Sequence, residues 1–219
     1  MNKKNKKILV TGDYAGAQWH PLKGVDERLE KILAGYDLDF SENYPGLTLE
    51  ELNNYGVLIC YIDAWNKRGA RKAAGAILSY VAGGGSLLSL HSGIIMSSTP
   101  EMELMQGGRF TGHPEACELT YSPVSPVNSE HKHPVLEGIE AFTIFEEPYR
   151  IDLCAFAEHE KLLTYSHDGR DDWPAGWTLP YGMGRIVYLS PGHQASSFDN
   201  KTFAGLILNS IRWLSGSGS

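Results

Sequence analysis

Short apolar runs alternate along the first half of the chain with stretches whose apolar positions recur every third or fourth residue. Lys7 to Thr11 predicts a strand that ends in Gly12-Asp13, and Gly24 to Ala34 predicts a helix with Val25, Leu29, Ile32 and Leu33 on one face. Leu38 to Phe40 predicts a short second strand. Thr48, with Glu51 three residues on, has the spacing of a capping box and predicts a short helix to Asn53. Val57 to Ile62 is apolar throughout, as a central strand covered on both faces requires. Lys67 to Val81 reads as a helix stopped by Gly83-Gly84-Gly85, and Ser86 to Leu90 as the next strand, running into His91-Ser92-Gly93. Strand–helix alternation with short connections specifies an α/β sheet with right-handed crossovers.

From Pro100 to Asp172 the periodicity weakens. Glu101 to Gln106 reads as a helical turn, and Glu118 to Tyr121 and Pro148 to Leu153 as strands, between long loops punctuated by Pro114, Pro123, Pro126 and Pro134. Loops of such length in one domain usually build a binding site or a lid. Order returns with Trp177 to Pro180, a turn at Tyr181-Gly182-Met183-Gly184, a strand from Arg185 to Ser190, and a helix from Lys201 to Leu214. No repeat or linker divides the chain. The expectation is one domain over 7–214, a disordered tail over 1–6 and a flexible tail over 215–219.

Composition narrows the function classes. The chain has 219 residues, 42% hydrophobic and 21% charged, enough to bury a core without disulfides. Nineteen Lys and Arg against 26 Asp and Glu give a net charge of −7, which argues against nucleic-acid binding. The three cysteines, Cys60, Cys117 and Cys154, are odd in number and far apart, which fits a reducing cytosol better than a disulfide framework. The start carries lysines but lacks the roughly 7–15 apolar residues of a signal peptide. No stretch approaches the ~20 apolar residues of a membrane span. A cytoplasmic protein is expected, without nucleic-acid or membrane partners; the sequence leaves homo-oligomerisation open.

Ligands of open α/β sheets bind beyond the carboxyl ends of the strands, so polar residues just after each predicted strand are the first candidates. These are Asp13 with His20 on the same loop, Asp63 and Trp65, His91, and His193. The stretch from Gly83 to Gly93 has the strand–turn–helix character of a nucleophile elbow, but its apex is His91, with Ser92 beside it. A histidine there moves protons or binds a metal instead of forming an acyl-enzyme. His113 lies on a loop between Gly112 and Pro114, and Glu146-Glu147 precede Pro148 and Tyr149, where a pinned carboxylate can serve as a base. His131 and His133 form a metal-competent pair on a polar loop.

The segments GGGSLLSLHSG from Gly83, FTGHP from Phe110, HPVLEGIEAFTIFEEPY from His133 and YGMGRIVYLSPGH from Tyr181 occur in an order that resembles the ThuA-like (trehalose utilisation) family, from Ile8 to Leu214. That resemblance implies a flavodoxin-like, doubly wound and mostly parallel sheet of the class I glutamine amidotransferase-like superfamily. The elbow of that superfamily carries Cys where this chain has His91, which argues against glutaminase activity. The resemblance also implies carbohydrate catabolism, on a disaccharide or glycoside in its 3-keto form, beside a dehydrogenase that makes 3-keto sugars. His91, His113, Glu147 and His193 match the family motifs as catalytic residues. Asp13, His20, Trp65, Ser92 and Tyr149 are expected to bind substrate around them. Family members carry a fuller His- and acid-containing loop after the first strand than the one ending here at His20.

Three histidines and a carboxylate are also a ligand set for a divalent metal such as zinc. The sequence leaves open whether the site holds a metal or works by acid–base catalysis alone. An amidotransferase-like hydrolase without the cysteine, and a non-catalytic sugar-binding module, are the alternative readings.

Overall fold

Nearly uninterrupted apolar runs build the centre of the sheet. The computed structural model describes residues 6–63, 70–96, 99–124 and 132–216. It begins β1 (Lys7–Gly12), α1 (Val25–Ile32), β2 (Asp37–Ser41), α2 (Leu49–Leu52), β3 (Val57–Tyr61), α3 (Ala70–Ala82) and β4 (Ser86–Leu90). It continues α4 (Pro100–Gln106), β5 (Gly108–Gly112), β6 (Cys117–Pro123), β7 (Phe142–Glu146), β8 (Arg150–Leu153), β9 (Glu160–His167), β10 (Arg170–Tyr181), β11 (Gly184–Leu189) and α5 (Lys201–Leu214).

One sheet runs in the order β2-β1-β3-β4-β11-β10-β9-β6-β7. Neighbours from β2 to β11 pair in parallel. Taken alone, these five strands have the 2-1-3-4-5 order of a doubly wound sheet. Alternate side chains enter two cores. Ile8, Val10, Ile59, Leu88 and Val187 pack with Leu29 of α1 and Phe203 of α5. Leu9, Leu58, Leu87 and Ile186 pack with Leu52 of α2, Ile77 of α3 and Met102 of α4. Helices on both faces explain why β3 and β4 are buried at every position.

The expectation of a mostly parallel sheet holds only for that half. β11, β10, β9, β6 and β7 pair antiparallel, and β5 and β8 form a separate ribbon. Much of the region expected as loop is therefore strand. Pro174 lies inside β10, and the register with β9 shifts on either side of it. A bulge is where a strand tolerates a residue without an N–H.

Local signals are met elsewhere. The Thr48 hydroxyl accepts from the Glu51 amide at 3.2 Å, and Asn200 caps α5 through the Thr202 and Phe203 amides at 3.0 and 3.1 Å. The tails expected at 1–6 and 215–219 fall largely outside the described residues, although Ser215 is buried at the end of α5. No helix among the described residues is long and apolar enough to cross a membrane.

Candidate metal centre

His20 comes from the loop between β1 and α1, His91 from the residue after β4, and His193 from the loop after β11. Glu147 follows β7, whose end lies over the carboxyl end of β11, because Glu146 accepts hydrogen bonds from the Gly192 and His193 amides. The four side chains offer ligand atoms that all lie within 4.8 Å of one another. Glu147 Oε2 is 3.3 Å from His193 Nδ1, 3.4 Å from His91 Nε2 and 3.6 Å from His20 Nε2. Neighbouring donors around a tetrahedral ion with bonds of about 2.0–2.1 Å stand roughly 3.3 Å apart.

The outer contacts fix which ring nitrogens face inward. His91 Nδ1 donates to the Ser190 carbonyl at 2.7 Å, and His20 Nδ1 donates to Asp63 Oδ1 at 3.3 Å. Each Nε2 therefore presents a lone pair to the Glu147 carboxylate. Lone pairs facing a carboxylate oxygen repel unless a proton or a metal cation lies between them. Consistent with this, His91 Nε2, His193 Nδ1 and Glu147 Oε2 are buried without a hydrogen-bond partner. Histidine ligands held from behind by a carboxylate or carbonyl are the usual second layer of a metal site.

Electrostatics keep His91 and Glu147 in their metal-binding forms, a neutral ring and an ionised carboxylate. Burial pushes His91 down to about 3, so its ring is neutral. Burial alone would raise the Glu147 carboxyl, but His193, His20 and His91 around it hold it well below the usual carboxylate range. For His193, burial lowers the ring's proton affinity and the Glu147 contact more than offsets it, giving a net rise. Burial would likewise raise Asp63, yet the Trp19 and Gln18 amides, which donate to its carboxylate, keep it ionised.

His91 has φ of 41°, a left-handed conformation rare for a side chain other than glycine. The elbow geometry is thus present, with an imidazole at its apex. It packs closely: a Cβ at Gly93 would stand 2.4 Å from the Cys60 carbonyl oxygen, so no side chain fits there.

The other expected residues lie at different depths. His113 is part-exposed at the rim, with Nε2 3.6 Å from Glu147 Oε1 and Nδ1 donating to the Pro114 carbonyl at 2.8 Å. His20, expected on the wall, belongs to the cluster itself. Asp13 sits one layer behind, its Oδ2 accepting from the Asp63 amide at 3.0 Å. Tyr149 is buried, its ring 4.0 Å from that of His91 and its hydroxyl 3.5 Å from His20 Nε2. Ser92 is fully buried and does not line the cavity. Trp65 and His131 lie outside the described residues. His133 is turned toward Trp213, far from the cluster in the fold, with its Nδ1 accepting from the Val135 amide. Cys60 is buried in β3 and burial pushes its thiol up.

A cavity of about 430 Å³ opens over Glu147, lined by Trp19, His20, Phe110, Gly112 and His113. Trp19, 59% exposed, and Phe110 are its apolar walls; the sequence shows Trp19 on the loop with His20 and Phe110 at the head of FTGHP, without assigning either a role. Asp63 is among the strand-end candidates, but its pairing with His20, 43 residues away in the chain, is not legible in the sequence.

A strand-end pocket on a half-parallel α/β sheet defines the class of protein. The family model described as ThuA, trehalose utilisation, matches residues 7–214, and the chain belongs to that family. A ThuA-like protein from Parabacteroides merdae superposes with a TM-score of 0.77 at 18% identity, covering 97% of this chain and 90% of that one. One from Bacteroides uniformis gives 0.75 at 18% identity, covering 98% and 93%. A Salmonella typhimurium protein described as cytoplasmic gives 0.62 at 17% identity, covering 95% and 98%. No curated protein matches the sequence.

Proposed function

We propose that this protein is an enzyme of carbohydrate catabolism that acts on a disaccharide or glycoside in its 3-keto form, with a divalent metal ion held by His20, His91, Glu147 and His193. The observation that carries the metal is the convergence of unpartnered imidazole nitrogens on one carboxylate oxygen. The carbohydrate follows from the family's description and from the apolar walls of Trp19 and Phe110, which suit the C–H face of a sugar ring. We read the fold as the flavodoxin-like branch of the class I glutamine amidotransferase-like superfamily, with His91 in the place of its cysteine. Free cysteines and the Salmonella relative's description support a cytoplasmic location.

Oxidation at C3 acidifies the hydrogen on the neighbouring carbon. His113, whose Nδ1 is engaged by Pro114, has Nε2 free to take that proton, leaving an enolate. The enolate electrons then break the bond from the next carbon to the glycosidic oxygen. That oxygen leaves with the electron pair and takes the proton back from His113. A divalent ion in the cluster would supply positive charge opposite the enolate oxygen. Tyr149 and the second-layer contacts hold His91 and His20 in place.

The test is turnover of a panel of disaccharides and their 3-keto forms, with and without EDTA and added divalent metals. We expect turnover of 3-keto forms that EDTA abolishes and metal restores. Turnover indifferent to EDTA would overturn the metal, and binding of these sugars without turnover would leave only a sugar-binding module.

A further inference from the structure

The two adjacent carboxylates before Pro148 point in opposite directions. Glu147 enters the cluster, whereas Glu146 is fully buried behind it. Glu146 Oε1 accepts from the Gly192 amide and Oε2 from the His193 amide, both at 2.9 Å, and the Ser197 hydroxyl donates to the same carboxylate. On the other side of that peptide, the Tyr61 hydroxyl donates to the Gly192 carbonyl at 2.9 Å and lies 3.2 Å from the His193 carbonyl. Gly192 has φ of 123°, so the turn bearing His193 adopts a conformation that local preference does not enforce.

We infer that Glu146 and Tyr61 form a clamp that positions His193 as a ligand, Glu146 being a positioning residue for the metal centre although it touches no ligand atom. His20 is held by Asp63 and His91 by the Ser190 carbonyl, each through its own ring. Among these second-layer contacts, the one at His193 grips the backbone, so the ring's direction is set by the turn. The clamp also joins the two carboxylates in one device: β7 delivers Glu147 to the ion and, through Glu146, the third histidine with it. A carboxylate is suited to this because it accepts from both amides at once. Glutamine at the same place offers one oxygen and turns an N–H₂ group toward an N–H donor.

This inference rests on the metal reading above, and the experiment separates the two. Zinc affinity is measured by chelator competition on wild type, Glu146→Gln, Tyr61→Phe and Glu147→Gln, and the cobalt-substituted proteins are compared by visible absorption. Circular dichroism of the metal-free proteins reports folding. We expect Glu146→Gln to bind zinc roughly 10–100-fold more weakly with an altered cobalt spectrum, Tyr61→Phe to shift both in the same direction by less, and Glu147→Gln to lose tight binding. If Glu146→Gln does not fold, the decision passes to Tyr61→Phe, which keeps the packed ring. Wild-type affinity and spectrum in a folded Glu146→Gln, or in Tyr61→Phe where that variant decides, would overturn the clamp while leaving the metal centre intact. A wild type that takes up neither metal would overturn both.

Discussion

At the scale of single residues, the chemistry depends on which nitrogen of each imidazole carries the proton. His91 and His20 spend Nδ1–H on the Ser190 carbonyl and Asp63, which commits both Nε2 lone pairs to the centre. His113 is engaged in the same way at Pro114 but stands part-exposed at the rim, beside the Glu147 oxygen that the cluster leaves outermost. In the proposed mechanism it therefore moves protons and does not hold the ion. His113→Ala should retain wild-type metal content while lowering kcat by about 10²–10⁴-fold. Metal analysis beside steady-state kinetics checks this, and loss of metal would make His113 a ligand. In the sequence, strand-end position marks His91 and His193, and the motif before Tyr149 marks Glu147. It marks His20 only weakly, because its binding form depends on Asp63 from a distant strand. The role of Trp19 and Phe110 is not legible for a similar reason: an aromatic residue on a loop becomes a wall only when another element faces it.

At the scale of elements, β1, β3, β4 and β11 are legible because both faces are covered and their sequences are mostly apolar. α5 is legible from its run of apolar positions. β7 and β9 escape notice because each buries only some of its positions. Pro174 hides the first half of β10, which tolerates it at a shift in register. The turn after β4 is legible as an elbow, but its tightness is not. Gly93 has no room for a Cβ because the Cys60 carbonyl oxygen would be 2.4 Å away and Ser89 Oγ 2.7 Å. Gly93→Ala should therefore destabilise the protein by about 1–3 kcal/mol, read from denaturant unfolding of the metal-free form. A loss under ~0.5 kcal/mol would show that the elbow has slack.

At the scale of the whole molecule, two halves of one sheet meet over the site. The parallel half supplies three histidines from its strand ends, and the antiparallel half returns over them to supply Glu147. The parallel half follows from the apolar pattern, so the end of the sheet that carries chemistry can be read from the sequence. The return of β7 cannot, since it depends on packing such as Phe142 against Phe203, whose rings stack with centroids 6.2 Å apart. The proposed metal ion lies where these two halves meet. Elemental analysis of protein purified without chelator tests it most directly, with a folded Glu147→Gln variant alongside. About one divalent ion per chain is expected in the wild type, for the one such cluster among the described residues, and a marked loss in the variant. Wild-type protein that carries no divalent ion, and takes none up when zinc is supplied, would contradict the proposal.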